Sequence, residues 1–210
     1  MEYHKIETIF KRDMEGNKKL IEGEFRSPAI ECLKNIVWEF TEKVDGTNVR
    51  VIWDGHKVSF NGRTENSQMP IPLLEELNRL FGGNTNEEIF EQLFGEKQAV
   101  LYGEGYGGKI QGGGAYRKSQ SFILFDILIG DYFLERENLE EIAKAFNISI
   151  VPIVLSGTIQ EAIDYVRINP KSIIAETDKE MEGLVGKTQV PLFDKFGNRM
   201  IVKIKYEDFK

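Results

Sequence analysis

A chain of 210 residues with 41% hydrophobic side chains is long enough to bury a core, as one large domain or at most two small ones. Its 27 basic and 34 acidic side chains give a net charge of -7, which excludes a cationic coat for gripping duplex nucleic acid and leaves only a local basic pocket for any polyanion. A single cysteine, Cys32, excludes an intramolecular disulfide, and the expected state of that thiol is buried and inert.

In chain order, the first residues are charged at once, with no apolar signal core. The most apolar run, Phe122 to Ile129, is short and broken by Asp126, so the expectation is a soluble, cytoplasmic protein without a membrane partner. Residues 1–35 read as a lead-in of a strand or two plus loops, with Gly16-Asn17 and Ser27-Pro28 as turn signals. The stretches Val37 to Thr41 and Val49 to Trp53 alternate and are rich in β-branched and aromatic residues. Between them Asp45-Gly46-Thr47-Asn48 supplies turn chemistry, which predicts a hairpin carrying Lys43 at a strand end.

A second hairpin is predicted to turn at Asp54-Gly55. Pro72 to Phe81 reads as a helix closed by Gly82-Gly83, and Glu87 to Phe94 as another, capped by Asn84 to Asn86 and stopped at Gly95. Both are expected to pack across a sheet. Ala99 to Tyr102 and Phe122 to Ile129 read as strands, and Arg136 to Phe146 as a helix. Thr158-x-x-Glu161 is a capping box for a helix ending before Pro170; Gly183 to Lys187 and Arg199 to Lys205 are closing strands. With no βαβ rhythm and no repeat, the pattern predicts one α+β domain over residues 1–210, built on antiparallel sheets flanked by helices.

Gly103-Glu104-Gly105-Tyr106-Gly107-Gly108-Lys109 matches two nucleotide-binding patterns on paper. Both need a helix directly after the glycines, whose N-terminal amides face the anion, and Gln111-Gly112-Gly113-Gly114 would not start one. Ile110 also stands where a phosphate loop needs a hydroxyl for magnesium. The expectation is a strand followed by a pliable loop bearing Tyr116, Arg117 and Lys118, either solvated or gripping substrate.

The residues with chemical potential are Lys43 in Lys-Val-Asp-Gly-Thr-Asn, Arg63 in Gly-Arg-Thr, Glu104 in Tyr-Gly-Glu, Phe125 in Phe-Asp-Ile, Glu182 in Glu-Gly-Leu-Val, and Lys203-Ile204-Lys205. Singly, each has a plain structural reading: a solvated strand-end lysine, a turn arginine, a salt-bridged acid, a core phenylalanine, an edge strand guarded by charge. A protonated lysine cannot attack phosphorus. If Lys203 and Lys205 lie beside Lys43, their charge would favour its neutral, nucleophilic form and stabilise growing phosphoryl charge.

As an ordered set, these motifs resemble those shared by ATP-dependent DNA ligases, RNA ligases and messenger-RNA capping enzymes. In particular Thr41-Glu42-Lys43-x-Asp45-Gly46-Thr47-Asn48, Tyr102-Gly103-Glu104-Gly105 and Lys203-Ile204-Lys205 resemble the phage-type, nick-sealing RNA ligase family, over about Lys43 to Lys205. The resemblance implies an ATP-grasp-like nucleotidyltransferase domain, with ATP and magnesium or manganese as cofactors. It implies Lys43 as the nucleophile that takes AMP, then passes it to an RNA 5'-phosphate that a 3'-hydroxyl attacks. Lys203 and Lys205 would assist catalysis, and Glu42, Asn48, Arg63, Glu104, Phe125, Glu182 and Lys187 would contact the nucleotide. Phe125 would stack on adenine, Glu104 bind a ribose hydroxyl, and Glu182 hold a metal or its water.

The chain stops five residues past Lys205, so a catalytic core without an accessory C-terminal domain is expected. RNA grip would then come from the core or an accessory protein; Lys11, Arg12, Lys18 and Lys19 are candidates, against a solvated charge run. RNA repair is the expected setting. A DNA ligase, a guanylyltransferase, and a non-catalytic module binding nucleotide or RNA ends remain as alternatives.

Overall fold

The computed structural model describes residues 2–16, 18–64 and 67–210, so Asn17 of the Gly16-Asn17 turn signal lies outside the described residues. In chain order come β1 (Glu7–Thr8), β2 (Phe10–Arg12), β3 (Leu20–Phe25), α1 (Pro28–Cys32), β4 (Trp38–Glu42), β5 (Thr47–Trp53) and β6 (Val58–Asn61). Next are α2 (Ile71–Phe81), α3 (Asn84–Phe94), β7 (Ala99–Tyr106), β8 (Ser121–Ile129), β9 (Tyr132–Phe133) and α4 (Arg136–Ala145). Last come β10 (Ser149–Ile150), β11 (Ile153–Gly157), α5 (Ile159–Arg167), β12 (Gly183–Thr188) and β13 (Ile201–Lys205). The result is a mixed α+β fold on mainly antiparallel sheets, as the pattern predicts.

The chain divides into two units, and the lysine motif straddles the division. One unit is Asp45–Val151 with Ala175–Thr177 and the first residues up to Tyr3; the other is His4–Val44, Pro152–Ile174 and Asp178–Lys210.

The first unit holds a six-stranded sheet of order β10-β8-β7-β5-β6, with β9 on β8. Period-2 alternation turns Val49, Val51, Trp53, Ala99 and Leu101 toward one core with Leu73, Leu77 and Phe81 of α2, Phe90 and Phe94 of α3, and Leu139 and Ile142 of α4. The opposite parity puts Asn48 and Arg50 of β5, and Tyr102 and Glu104 of β7, on the other face. A β-bulge adds to that face: Tyr102 opposes Asp126 while Gly103 opposes Leu124, which leaves Phe125 as the extra residue. Phe125 is half-buried, with its ring 5.1 Å from that of Tyr3, whose hydroxyl donates to Asp126 at 2.7 Å.

The second hairpin forms as expected, with β5 antiparallel to β6 and Gly55 at the first central turn position with φ 102°. Helix α3 begins three residues earlier than expected, because Asn86 sends its amide to the Gly82 carbonyl at 2.8 Å instead of capping.

In the second unit, strands of order β1-β13-β12-β4-β11 form one sheet and β2-β3 a separate pair. Trp38, Phe40, Leu184, Val202 and Ile204 pack under Ile159, Ala162, Ile163 and Val166 of α5. The Thr158 and Glu161 capping box opens α5 with both reciprocal hydrogen bonds.

Three expectations fail here. Val37–Thr41 and Val49–Trp53 do not make a hairpin: β4 pairs with β11 and β12, while β5 pairs with β6 and β7. The chain between them is a connection, with Lys43 N–H donating to the Gly183 carbonyl at 2.9 Å and Asp45 N–H to the Tyr116 hydroxyl at 3.1 Å. Ser27-Pro28 is no loop turn but the N-cap and first residue of α1, Ser27 accepting from the Ile30 amide. Cys32 is exposed, not buried, because the five-residue α1 buries only Ile30.

Candidate active site

The second unit concentrates the predicted cations. In the antiparallel register of β12 and β13, Val185 opposes Lys203 and Lys187 opposes Ile201, so Lys187, Lys203 and Lys205 share the face turned away from the α5 core. Lys43 follows β4 and is tied to Gly183, which pairs with Lys205. Glu182 joins the two lysines, one carboxylate oxygen 2.6 Å from Lys43 Nζ and the other 2.8 Å from Lys205 Nζ. Lys205 also meets Glu207 at 3.0 Å.

Electrostatics differ across this cluster. The Lys203 ammonium is held below the ordinary lysine range by burial first, then by the charges of Lys205, Lys43 and Lys5, with Glu7 opposing. Burial pulls Lys205 the same way, but its hydrogen bonds to Glu182 and Glu207 outweigh that and raise it. Glu42, on the core side of β4, is almost wholly buried; it accepts from the Ser172 hydroxyl and from the Ile173 amide at 2.9 Å. Burial pushes its carboxyl up, against those hydrogen bonds and the charge of Lys179.

In the first unit, Asn48 and Glu104 are directly opposite on β5 and β7, on the face that carries Phe125. The Asn48 Oδ1 is buried without a hydrogen-bond partner among the described residues. Arg63 is exposed just past β6.

Sequence reading missed Arg50. The residue is 2% exposed, and its Nε donates at 2.8 Å to the Gly62 carbonyl, pinning the backbone next to Arg63. An arginine in an apolar alternation was the available signal. Burial pushes the adjacent Tyr102 hydroxyl up to about 12, so it stays protonated. Ser172, which holds Glu42, carried no signal at all.

The loop after β7 also differs from expectation. Tyr116 is fully buried, packs edge-on to Tyr106 at 5.8 Å and supplies the hydroxyl to Asp45, so the segment is anchored and not pliable. Only a 3-10 turn, Gly113–Ala115, follows the glycines, and the Gly-x-Gly pattern serves packing. A Cβ at Gly103 would strike the Phe122 ring, and one at Gly105 would strike Leu73.

Gly46 owes its place to a similar approach: a Cβ there would lie under 3.0 Å from the Gly105 carbonyl oxygen and Glu104 Cγ. Gly46→Ala should therefore lower unfolding stability by about 1–3 kcal/mol through overpacking. Denaturant melts check this; an unchanged midpoint would refute the close approach. Of the N-terminal cations, Lys11 meets Glu24 at 3.5 Å at the surface and Arg12 meets Asp208 at 2.5 Å in a part-buried pair.

Antiparallel sheets backed by helices, with a Lys-x-Asp-Gly-Thr-Asn segment leaving one strand, make a nucleotidyltransferase-type fold. The RNA ligase family model matches residues 36–205, and the chain belongs to the RNA ligase family. Its fold is similar to that of a Lys-to-Met variant of Naegleria gruberi RNA ligase with AMP and manganese, at TM-score 0.66 and 22% identity over 87% of this chain and 53% of that one. An Arg-to-Ala variant of the same ligase with ATP and manganese gives 0.68 and 20% over 98% and 56%. The chain thus spans about half the length of these relatives. No curated protein matches it. Among the described residues, no helix is long and apolar enough to cross a membrane.

Proposed function

We propose that this chain is an ATP-dependent RNA ligase that works through a lysyl-AMP intermediate. Lys43 Nζ attacks the α-phosphorus of ATP, a P–N bond forms, and pyrophosphate leaves with the broken P–O bond. An RNA 5'-phosphate oxygen then attacks the AMP phosphorus and frees the lysine. A 3'-hydroxyl finally attacks the activated 5'-phosphate, and AMP departs. The observation that carries this reading is the Lys43–Glu182–Lys205 ion-pair chain with Lys203 on the same face, in a member of this family. It brings the Lys203 and Lys205 cations near the amine to meet phosphate oxygens, while the Glu182 carboxylate favours the ammonium form of Lys43, so attack follows only once Glu182 takes that proton or parts from it.

Lys203, Lys205 and Lys187 are proposed to neutralise phosphate oxygens, Arg63 to clamp phosphate or ribose with its guanidinium fork, Glu104 to accept from a ribose hydroxyl, and Phe125 to stack on adenine. Glu42, spent on Ser172 and Ile173, is proposed to act through the backbone it holds.

Among the described residues no group of three His, Cys, Asp or Glu side chains could cage a metal ion. Glu182 is instead proposed to meet magnesium or manganese carried on nucleotide phosphates, directly or through water. Such an ion would supply charge neutralisation at the phosphoryl oxygens.

The proposed substrates are RNA 5'-phosphate and 3'-hydroxyl ends, in cytoplasmic RNA repair. Intact mass after incubation with ATP and either metal should show one AMP adduct, and with GTP none. Label from GTP alone would make the protein a guanylyltransferase. No adduct with either nucleotide would leave a module that binds nucleotide or RNA ends.

A further inference from the structure

A groove of about 900 Å³ opens in the second unit, between the segment entering β1, the start of α1 and the excursion that joins β12 to β13. The tip of the excursion is a hydrogen-bonded turn. Asp194 accepts from the amides of Phe196 at 2.8 Å and Asn198 at 2.9 Å and from the Asn198 side chain at 3.0 Å, while Gly197 takes φ 81° to close the turn. Phe193 and Arg199 bridge the two arms.

This turn leaves Phe196 77% exposed and Phe193 58% exposed. Two large rings exposed together beside one groove form the kind of apolar patch that marks an interaction surface. The charges lining the groove agree. Lys5, Arg26, Lys195 and Arg199 stand against Glu7 and Asp194, four charges against two, with Arg26 and Glu7 paired to each other at 2.9 Å. This local positive excess stands on a chain of net charge -7. Lys195 Nζ sits 4.9 Å from the Phe196 ring centroid, so cation and ring form one platform.

Alternating rings and cations suit a polymer of planar bases and phosphates; an acidic peptide would use the cations and leave both rings idle. The groove also has a direction. Ile201 lines it and lies on the face of β13 that carries Lys203 and Lys205, and the charge of Lys5 is felt at Lys203.

We propose that this groove binds a single-stranded RNA segment beside the end being joined, with a base stacked on Phe196 and phosphates on Lys195 and Arg199. The inference rests on the RNA ligase reading above and adds a docking surface outside the nucleotide chemistry. Fluorescence anisotropy with a labelled single-stranded RNA bearing a 5'-hydroxyl, which cannot accept AMP, tests it. Phe196→Ala should weaken binding roughly 5- to 150-fold at unchanged charge. Lys195→Ala should flatten the slope of log affinity against log salt by about 0.7.

Both variants should melt like the parent protein. Unchanged affinity in Phe196→Ala, or no RNA binding by the parent protein, would overturn the groove. So would equal loss of RNA and polyglutamate binding in Lys195→Ala with no effect of Phe196→Ala, which would mark a plain anion patch. The AMP adduct is scored separately: RNA binding through Phe196 without an adduct would uphold the groove and refute the ligase reading.

Discussion

Lys43→Ala should carry no AMP after incubation with ATP and metal, and should lose strand joining by on the order of 10³-fold or more, since no other group then forms the P–N bond. The fold should survive. Glu182 is shared by two lysines, so removing Lys43 leaves its carboxylate paired with Lys205 at 2.8 Å and no buried charge uncompensated. An unchanged melting midpoint with a vanished adduct is the expected pair of results. A persistent adduct would move the nucleophile elsewhere. Supplied with RNA already adenylated at its 5' end, the variant should retain most of its sealing rate, because the lysine takes no part in the final step.

Lys203→Met should slow adenylation by about 10²- to 10³-fold while making the protein more stable at neutral pH. The sign follows from the depressed ammonium. With its folded value below the ordinary 10.5, Lys203 binds a proton less readily in the fold than in the unfolded chain. Its charge therefore costs stability at neutral pH, and that cost is relieved as pH rises through the folded value toward 10.5. The methionine variant lacks this term, so its melting midpoint should be higher at pH 7 and should rise less on the way to alkaline pH. Equal midpoints at every pH, or a parent protein that loses stability across that window relative to the variant, would contradict the crowding of like charges around Lys203.

Much of the fold was legible because it depends on local chemistry. Alternation marks β5 and β13, a continuous apolar run marks β8, Gly82 and Gly95 end helices, and the Thr158 capping box opens α5 as its residues require. The candidate site was legible as an ordered set of motifs, since a lysine, an acid and a Lys-x-Lys strand retain their chemistry wherever they are placed.

What escaped the reading depends on partners far away in sequence. Turn residues beside two good strands suggest a hairpin, yet β4 finds β11 and β12 while β5 finds β7, because strand pairing is decided by the cores on which each sheet packs. The face shown by Phe125 turns on one bulge, which no single-strand pattern reveals. Cys32 lies exposed because α1 buries only Ile30, and Tyr116 is buried because Tyr106 and Asp45 meet it.

The amino-acid sequence alone determined which groups are available for phosphoryl chemistry and which short elements carry them, since residue type and local propensity act within a few positions. Only the tertiary structure decided that Glu182 stands between Lys43 and Lys205, that Arg50 grips the backbone before Arg63, and that Phe196 stands in water above a cationic groove. Those are distances between residues remote along the chain, and distance is what ion pairing, burial and docking depend on.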